Sequence, residues 1–130
     1  MAEPEQPSRL YRVRRNISIP IEIKAEVVVD QLLPIEIKMD FEWDETKRLS
    51  NLAEHGVDFR DAALIFEGIV VANKEDVRQE YGEQRFRSLG RVDDEYYVVA
   101  YTWRGSVLRI ISAWKVNEDG RNRYEEILSR

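Results

Sequence analysis

The stretch SVLRIISAW, from Ser106 to Trp114, is an almost unbroken apolar run rich in β-branched residues. It is too short to cross a membrane, and such a run is typical of a strand that is covered on both faces. Arg109 interrupts it. Because a guanidinium cannot lose its proton, a strand that buries one must supply an anionic or carbonyl partner or leave it open to a bound anion. Two interpretations follow: a structural ion pair, or a phosphate-binding arginine on the floor of a site.

The segments upstream of this run predict a series of hairpins that feed it. Turn signals at 93–94 and 104–105 separate the segments Gln84–Val92, Tyr96–Trp103 and the opening stretch. A shorter strand is predicted over Ile69–Ala72. Consecutive strands joined by such short turns pair antiparallel, so the sequence predicts an antiparallel meander.

Helices are predicted on either side of this meander. Asp44 and Gly56 bracket a first helix as its N-cap and C-cap, and Asp58 and Asn117 are N-caps of two more. The apolar stripes of the three predicted helices are Leu49, Leu52 and Ala53; Phe59, Ala62, Ala63 and Phe66; and Tyr124, Ile127 and Leu128. The fold class predicted is α+β, with an N-terminal αα-hairpin and a C-terminal helix packed on the meander sheet.

The first part of the chain carries a different pattern. Apolar and polar residues alternate strictly over Ile17–Val27 and again over Leu33–Trp43, which is typical of half-buried strands. A hairpin that turns near Asp30–Gln31 explains both segments. The Pro- and Glu-rich residues 1–10 are expected to be frayed.

The amino-acid composition excludes several classes of functional site. The chain has 130 residues, a net charge of −5, one histidine and no cysteine, which fits one soluble domain and excludes disulfides and thiolate sites. The acidic balance argues against indiscriminate nucleic-acid binding. With a single histidine, His55, we predict no metal and no cofactor, and we expect His55 to cap a helix. With no spanning segment or leader pattern, the cytoplasm is the expected location.

Several sequence motifs, which occur in the expected order along the chain, resemble those of a known family. They are FEWDETKRLSNLAEHGVDF, IFEG at the end of the second helix, GEQRFRSLG, VVAYTWRG and LRIISAW, followed by a Tyr-containing helix. Residues 39–130 thereby resemble BrnT, the toxin of the BrnT–BrnA type II toxin–antitoxin pair. The resemblance implies a fold similar to RelE-type ribonucleases, RNA cleavage activity, and a BrnA-like ribbon-helix-helix antitoxin as partner. It also implies that operator DNA is bound only through this antitoxin. Residues 1–38 are then an extension, for which we predict a β-hairpin.

Metal-independent RNA cleavage uses the 2′-OH as nucleophile, so the protein must bind phosphate and move protons. The candidates for phosphate binding are Arg85, Arg109 and Arg121, with Lys115 in support. Glu83 or Tyr124 are the candidates for proton transfer. The alternatives are that Arg85 and Arg121 are solvated and that Tyr124 belongs to the core.

Two aromatic residues and three departures from the family pattern leave the function open. One departure is Trp103, which replaces the acidic or polar residue that is common before Arg104. Trp103 and Trp114 suit base stacking, core closure or a partner interface. Trp114 stands where the family usually has arginine, and Gly120 stands where it usually has glutamate, before Arg121. The second hypothesis is therefore a catalytically inactive BrnT-like protein that binds the antitoxin as a co-repressor or scaffold.

Overall fold

A computed structural model describes residues 10–19 and 35–129. In those ranges the chain forms, in order, the following elements: β1 Leu10–Ile19, β2 Ile35–Asp44, α1 Glu45–His55, α2 Phe59–Ala62 continued by a 3-10 turn Ala63–Phe66, β3 Ile69–Glu75, β4 Phe86–Val92, β5 Glu95–Arg104, β6 Val107–Val116 and α3 Glu118–Leu128. The predicted α+β class is confirmed, as are the turns on either side of β5.

The sheet is mixed, and the predicted pure meander is wrong in this respect. Its six described strands lie in the order β1-β2-β6-β5-β4-β3. β3 to β6 form the expected antiparallel meander, but β2 runs parallel to β6, from Asp40 beside Val107 to Trp43 beside Ile110. Local patterns missed this pairing because β2 and β6 are separated by most of the chain. Alternation shows that a strand is half-buried without showing which strand lies next to it.

β1 and β2 pair antiparallel, from Leu10 beside Asp44 to Ile19 beside Ile35. β1 therefore begins well before the alternating segment Ile17–Val27. The remainder of that segment and the predicted turn at Asp30–Gln31 lie outside the described residues. β2 runs continuously through the boundary predicted between residues 38 and 39.

Helix α1 has the predicted ends but not the predicted buried face. The Asp44 carboxylate accepts hydrogen bonds from the backbone N–H groups of Thr46 and Lys47, and the helix ends at Gly56, whose φ is 68°. The predicted stripe is exposed, with Leu49 53% and Leu52 39% accessible. The buried side chains of α1 are polar instead, namely Arg48 and Asn51.

Asn51 is buried because its side chain hydrogen-bonds to the backbone of β6 beyond the point where the pairing with β2 ends. Its Nδ2 donates to the carbonyl of Ala113 at 2.8 Å and its Oδ1 accepts from the Ala113 N–H at 3.1 Å. The same amide binds the Val57 carbonyl at 2.9 Å and the Ser112 hydroxyl at 3.2 Å. The side chain thus replaces a strand at the free edge of β6 and satisfies buried backbone groups.

Arg48 is buried because it joins the starts of the two helices. Its guanidinium donates to the carboxylate of Glu45, and its Nη1 lies 2.8 Å from Oδ2 of the α2 N-cap Asp58. The bonds from Arg48 lower the pKa of Glu45, against the opposing effect of desolvation. This ion pair and Asn51 explain why α1 buries polar groups.

The two faces of the sheet have separate cores. Tyr97, Val99 and Tyr101 of β5 face α1, α2 and the 3-10 turn. Three residues of the predicted α2 stripe are buried there, Phe59, Ala62 and Ala63, together with Ile65, which the stripe did not include. Gly90 allows that close approach, because a Cβ there would lie 2.5 Å from the Cβ of Ile65.

Helix α3 covers the opposite face, but only at one end. Its N-cap Asn117 accepts from the N–H of Gly120 at 2.8 Å, as predicted. Leu128 packs with Leu89 and Val98 in the second core. Since side chains alternate along β5, Ala100 and Thr102 point to the face of Val98, beyond the end that α3 covers.

Candidate anion-binding site

Two arginines flank the small side chains of β5 on this face. Arg87 of β4 pairs with Ala100, and Arg109 of β6 pairs with Thr102. β4 and β6 are separated only by β5, so their backbones lie about 10 Å apart. We call this arrangement of Arg87, Ala100, Thr102 and Arg109 the arginine cleft.

Arg109 is partly buried and has unused bonding capacity. It forms no hydrogen bond or ion pair within the part of the chain that the structure describes. Across β2 its register neighbour is the buried Glu42, whose carboxylate lies 3.6 Å from the Nη2 of Arg12. A direct ion pair of Arg109 is thus not found among the described residues, and its role as an arginine open to an anion stays a prediction.

Arg87 is the second cation with incomplete bonding. Its side chain is 7% exposed, and its Nε is buried without a hydrogen-bond partner in the described ranges. The carboxylate of Asp76 approaches that Nε only to 3.9 Å. A buried guanidinium that is not fully hydrogen-bonded is destabilising, so an added anion at this place would be favourable.

Asp76 cannot fully pair with Arg87 because other groups hold it. Arg78 donates to it from Nε and Nη2 at 2.8 Å each, and the Tyr81 hydroxyl donates at 2.9 Å. The Arg78 bonds hold the pKa of Asp76 well below its ordinary value, against the opposing effect of burial. Asp76 therefore fixes the loop that precedes β4.

Arg85 and Glu83 lie together beside the cleft. Arg85 immediately precedes β4 and its guanidinium lies 4.3 Å from the centre of the Tyr81 ring. Glu83 Oε1 lies 3.2 Å from Arg85 Nη2, while its Oε2 lies 3.4 Å from Arg104 Nη2. Glu83 thus joins two arginines, and Arg85 is partly neutralised.

The structure does not bring Arg121 to the arginine cleft. Its guanidinium lies 5.2 Å from the ring centre of Tyr96 and 3.3 Å from the Glu125 carboxylate. Tyr96 is at the opposite end of β5 from Thr102, which is about 20 Å along a strand.

Lys115 and Tyr124 also lie elsewhere. Lys115 Nζ lies 5.7 Å from the ring centre of Tyr97, on the face that α1 and α2 cover, and borders an open groove of about 530 Å³. Tyr124 packs in the second core, with its ring centre 6.1 Å from that of Trp114. His55 ends α1 as expected, 6.2 Å from the Trp114 ring.

Arg87 was missed because it reads as half of an exposed pair with Arg85. The useful signal is its spacing from Leu89: two residues apart on one strand, they share a face, and Leu89 is fully buried. An arginine on the same strand face as a core leucine is expected to be buried, whereas an arginine on a face with polar residues is expected to be exposed.

No group of three or more His, Asp or Glu side chains in residues 10–19 and 35–129 is placed to hold a metal ion. In the same ranges there is no helix with both the length and the apolar character needed to cross a membrane.

Comparison with known proteins identifies the family. No curated protein matches the chain. Residues 43–119 match the family described as "Ribonuclease toxin, BrnT, of type II toxin-antitoxin system". The matched range is more than half of the chain and contains the whole arginine cleft. The chain therefore belongs to the BrnT family of ribonuclease toxins, whose type II toxin–antitoxin systems imply an antitoxin partner.

Proposed function

We propose that this protein cleaves RNA in the cytoplasm without a metal ion and binds the scissile phosphate in the arginine cleft. The observation that carries the proposal is that Arg87 Nε and the Arg109 side chain have no hydrogen-bond partner among the described residues and that the two arginines share one sheet face. A planar guanidinium can meet two phosphate oxygens at once, so two of them suit a phosphodiester.

The chemistry proposed is attack of the 2′-oxygen on the neighbouring phosphorus. The new O2′–P bond forms, the P–O5′ bond breaks, and the products are a 2′,3′-cyclic phosphate and a 5′-hydroxyl. Arg87 and Arg109 stabilise the negative charge that develops on the phosphorane. Glu83, which borders a pocket together with Thr102, is the proposed acceptor of the 2′-OH proton, and solvent supplies the proton for the leaving 5′-oxygen.

The test compares arginines of one face. Arg109→Ala should lower kcat on single-stranded RNA by about 10²–10³-fold, as loss of one donor to a developing oxyanion does. Arg87→Lys should lower it as well, since the fork is lost while the charge is kept. Arg91→Ala is the matched control: Arg91 is on β4, 45% exposed, and bonded to the Asp93 carbonyl.

Three results would contradict the proposal. Wild-type activity in Arg109→Ala would remove the phosphate role of the cleft. Loss of cleavage in EDTA would show that a metal is required. An inactive wild-type protein that still binds its antitoxin would favour the co-repressor or scaffold hypothesis.

We also propose that the antitoxin is a BrnA-like ribbon-helix-helix protein and that operator DNA is bound only through it. The family match supports an antitoxin partner. Co-expression with the neighbouring gene product should restore growth, and the isolated toxin should not shift operator DNA. The RelE-like classification and the boundary at residue 38 stay predictions.

A further inference from the structure

A pocket opens where β5 leaves the sheet. Its volume is about 280 Å³, and its lining consists of Glu83, Gln84, Phe86, Thr102, Trp103 and Arg104. We call it the end pocket. The pocket combines aromatic surface with amide, carboxylate and guanidinium groups, which is the mixture that recognises unpaired bases.

Trp103 supplies a supported, accessible aromatic surface. The side chain is 42% exposed, although its ring contacts that of Tyr101 edge-on at 6.2 Å. Tyr101 is itself buried, hydrogen-bonded to Ser88 at 2.9 Å, and stacked on Phe86 at 5.7 Å. The indole is therefore held from below by the core while leaving a large apolar surface in solvent.

The rim of the pocket offers groups that can bond to the edge of a base. Glu83 and Arg104 lie 3.4 Å apart at the rim, and the Gln84 side chain is exposed beside them. Carboxylate and amide oxygens accept from base amino groups, and guanidinium and amide nitrogens donate to ring nitrogens and carbonyls.

The end pocket and the arginine cleft lie on opposite faces of β5 and share one residue, Thr102. Thr102 lines the pocket, and it is also the register partner of Arg109. The Thr102 hydroxyl donates to the Gln84 carbonyl at 2.6 Å, which fixes Gln84 beside the end of β5. Trp103 points to the face of Tyr101, opposite Arg109, so an RNA strand with a phosphate on Arg109 and a base on Trp103 would pass around the end of the β5–β6 hairpin.

We propose that the end pocket binds one unpaired nucleobase of the RNA, stacked on Trp103, and thereby selects which phosphodiester enters the arginine cleft. The selection of a bond rests on the ribonuclease function proposed above, whereas the binding of a base does not. Stacking on an aromatic ring accepts any base, so the rim groups Gln84 and Arg104 supply the preference among bases.

The binding experiment uses the full chain and a 2′-O-methyl RNA oligonucleotide, which lacks the nucleophile. Titration should quench tryptophan fluorescence in the wild type and not in Trp103→Phe, in which Trp43 and Trp114 remain. Trp103→Ala should bind at least about tenfold more weakly, whereas Trp103→Phe should bind almost as well as wild type, because a ring is kept. An oligonucleotide of the same length without bases should bind wild type as weakly as the normal oligonucleotide binds Trp103→Ala.

The matched control is Trp114→Phe, which changes an aromatic residue far from the end pocket and should leave the affinity for RNA unchanged. Equal affinity of the wild type for normal and base-free strands would overturn the proposal. Normal RNA affinity of Trp103→Ala together with loss of antitoxin binding would also overturn the proposal.

The cleavage experiment separates this proposal from the ribonuclease function. On a mixed-sequence RNA, Trp103→Ala should raise KM and change the relative use of cleavage sites, whereas Arg109→Ala should lower kcat and keep the fluorescence quench. Cleavage at unchanged sites in Trp103→Ala would overturn the base pocket and leave the nuclease intact. If the wild type shows base-dependent quenching but cleaves no RNA, the base-binding proposal holds and the ribonuclease proposal is wrong.

Discussion

The two faces of the sheet use polar residues in opposite ways. On the face under α1 and α2, the buried polar groups are satisfied: Asn51 makes four hydrogen bonds and Arg48 bonds two carboxylates. On the other face, beyond α3, Arg87 Nε and the Arg109 side chain have no hydrogen-bond partner in the part of the chain that the structure describes. Buried polar groups that make all their hydrogen bonds stabilise a fold. Buried polar groups that lack partners are destabilising, so a ligand that supplies the missing hydrogen bonds binds favourably.

The difference predicts that mutations on the first face change stability and that mutations of the cleft change binding.

Asn51→Ala should lower the free energy of unfolding by about 3 kcal/mol, because two buried backbone groups of Ala113 lose their partners. Urea unfolding gives the value. Ser50→Ala, one residue earlier on the exposed side of α1, should change stability by no more than about 0.5 kcal/mol. Equal stability of the two variants would mean that the free edge of β6 does not depend on Asn51.

Gly90→Ala should lower the free energy of unfolding by about 2 kcal/mol, because the added Cβ would overlap Ile65. Thermal unfolding followed by circular dichroism measures the loss. Since Ile65 lies on the face opposite the arginine cleft, RNA affinity below the transition should be unchanged. A Gly90→Ala protein with wild-type Tm would show that α2 and the 3-10 turn are not closely packed on β4.

Asp76→Asn should lower stability by about 2 kcal/mol at pH 7, because the charged bonds from Arg78 are weakened. The folded pKa of Asp76 lies below the unfolded one, so its contribution is present above pH 3.8, the ordinary value, and is lost as the pH falls through the folded pKa. Urea unfolding between pH 7 and pH 3 should show a constant difference down to about pH 4 and a difference that begins to narrow below pH 3.8. A difference that stays constant over the whole range would mean that this carboxylate does not titrate with folding.

Leu52→Ala should change the free energy of unfolding by no more than about 0.5 kcal/mol, because this side chain of α1 is already 39% exposed. Urea unfolding again gives the value. A loss above about 1.5 kcal/mol would mean that the predicted apolar stripe of α1 is covered in the folded protein after all.

Local signals predicted most of the elements. Asp44, Gly56, Asp58 and Asn117 act as the caps that their residue types favour, and the hairpins around β5 follow from their turns. The buried α2 stripe also follows from its spacing.

Features that depend on distant partners were not predictable from local patterns. The burial of Asn51 depends on where β2 ends beside β6, and the parallel pairing depends on which strand fills that place. For the site, Arg109 stood out because it interrupts an apolar run. Arg87 did not, since its burial is set by the face of a strand and by Asp76 on the preceding loop.

The parallel pairing of β2 with β6 has a consequence for how the protein is made. A ribosome releases β2 and α1 well before β6, and the amide of Asn51 must wait for a backbone 62 residues further on. Contacts so far apart in sequence form slowly, after nearby hairpins have closed. The nascent chain therefore completes the pairing of β2 with β6 and the burial of Asn51 only after β6 has been synthesised.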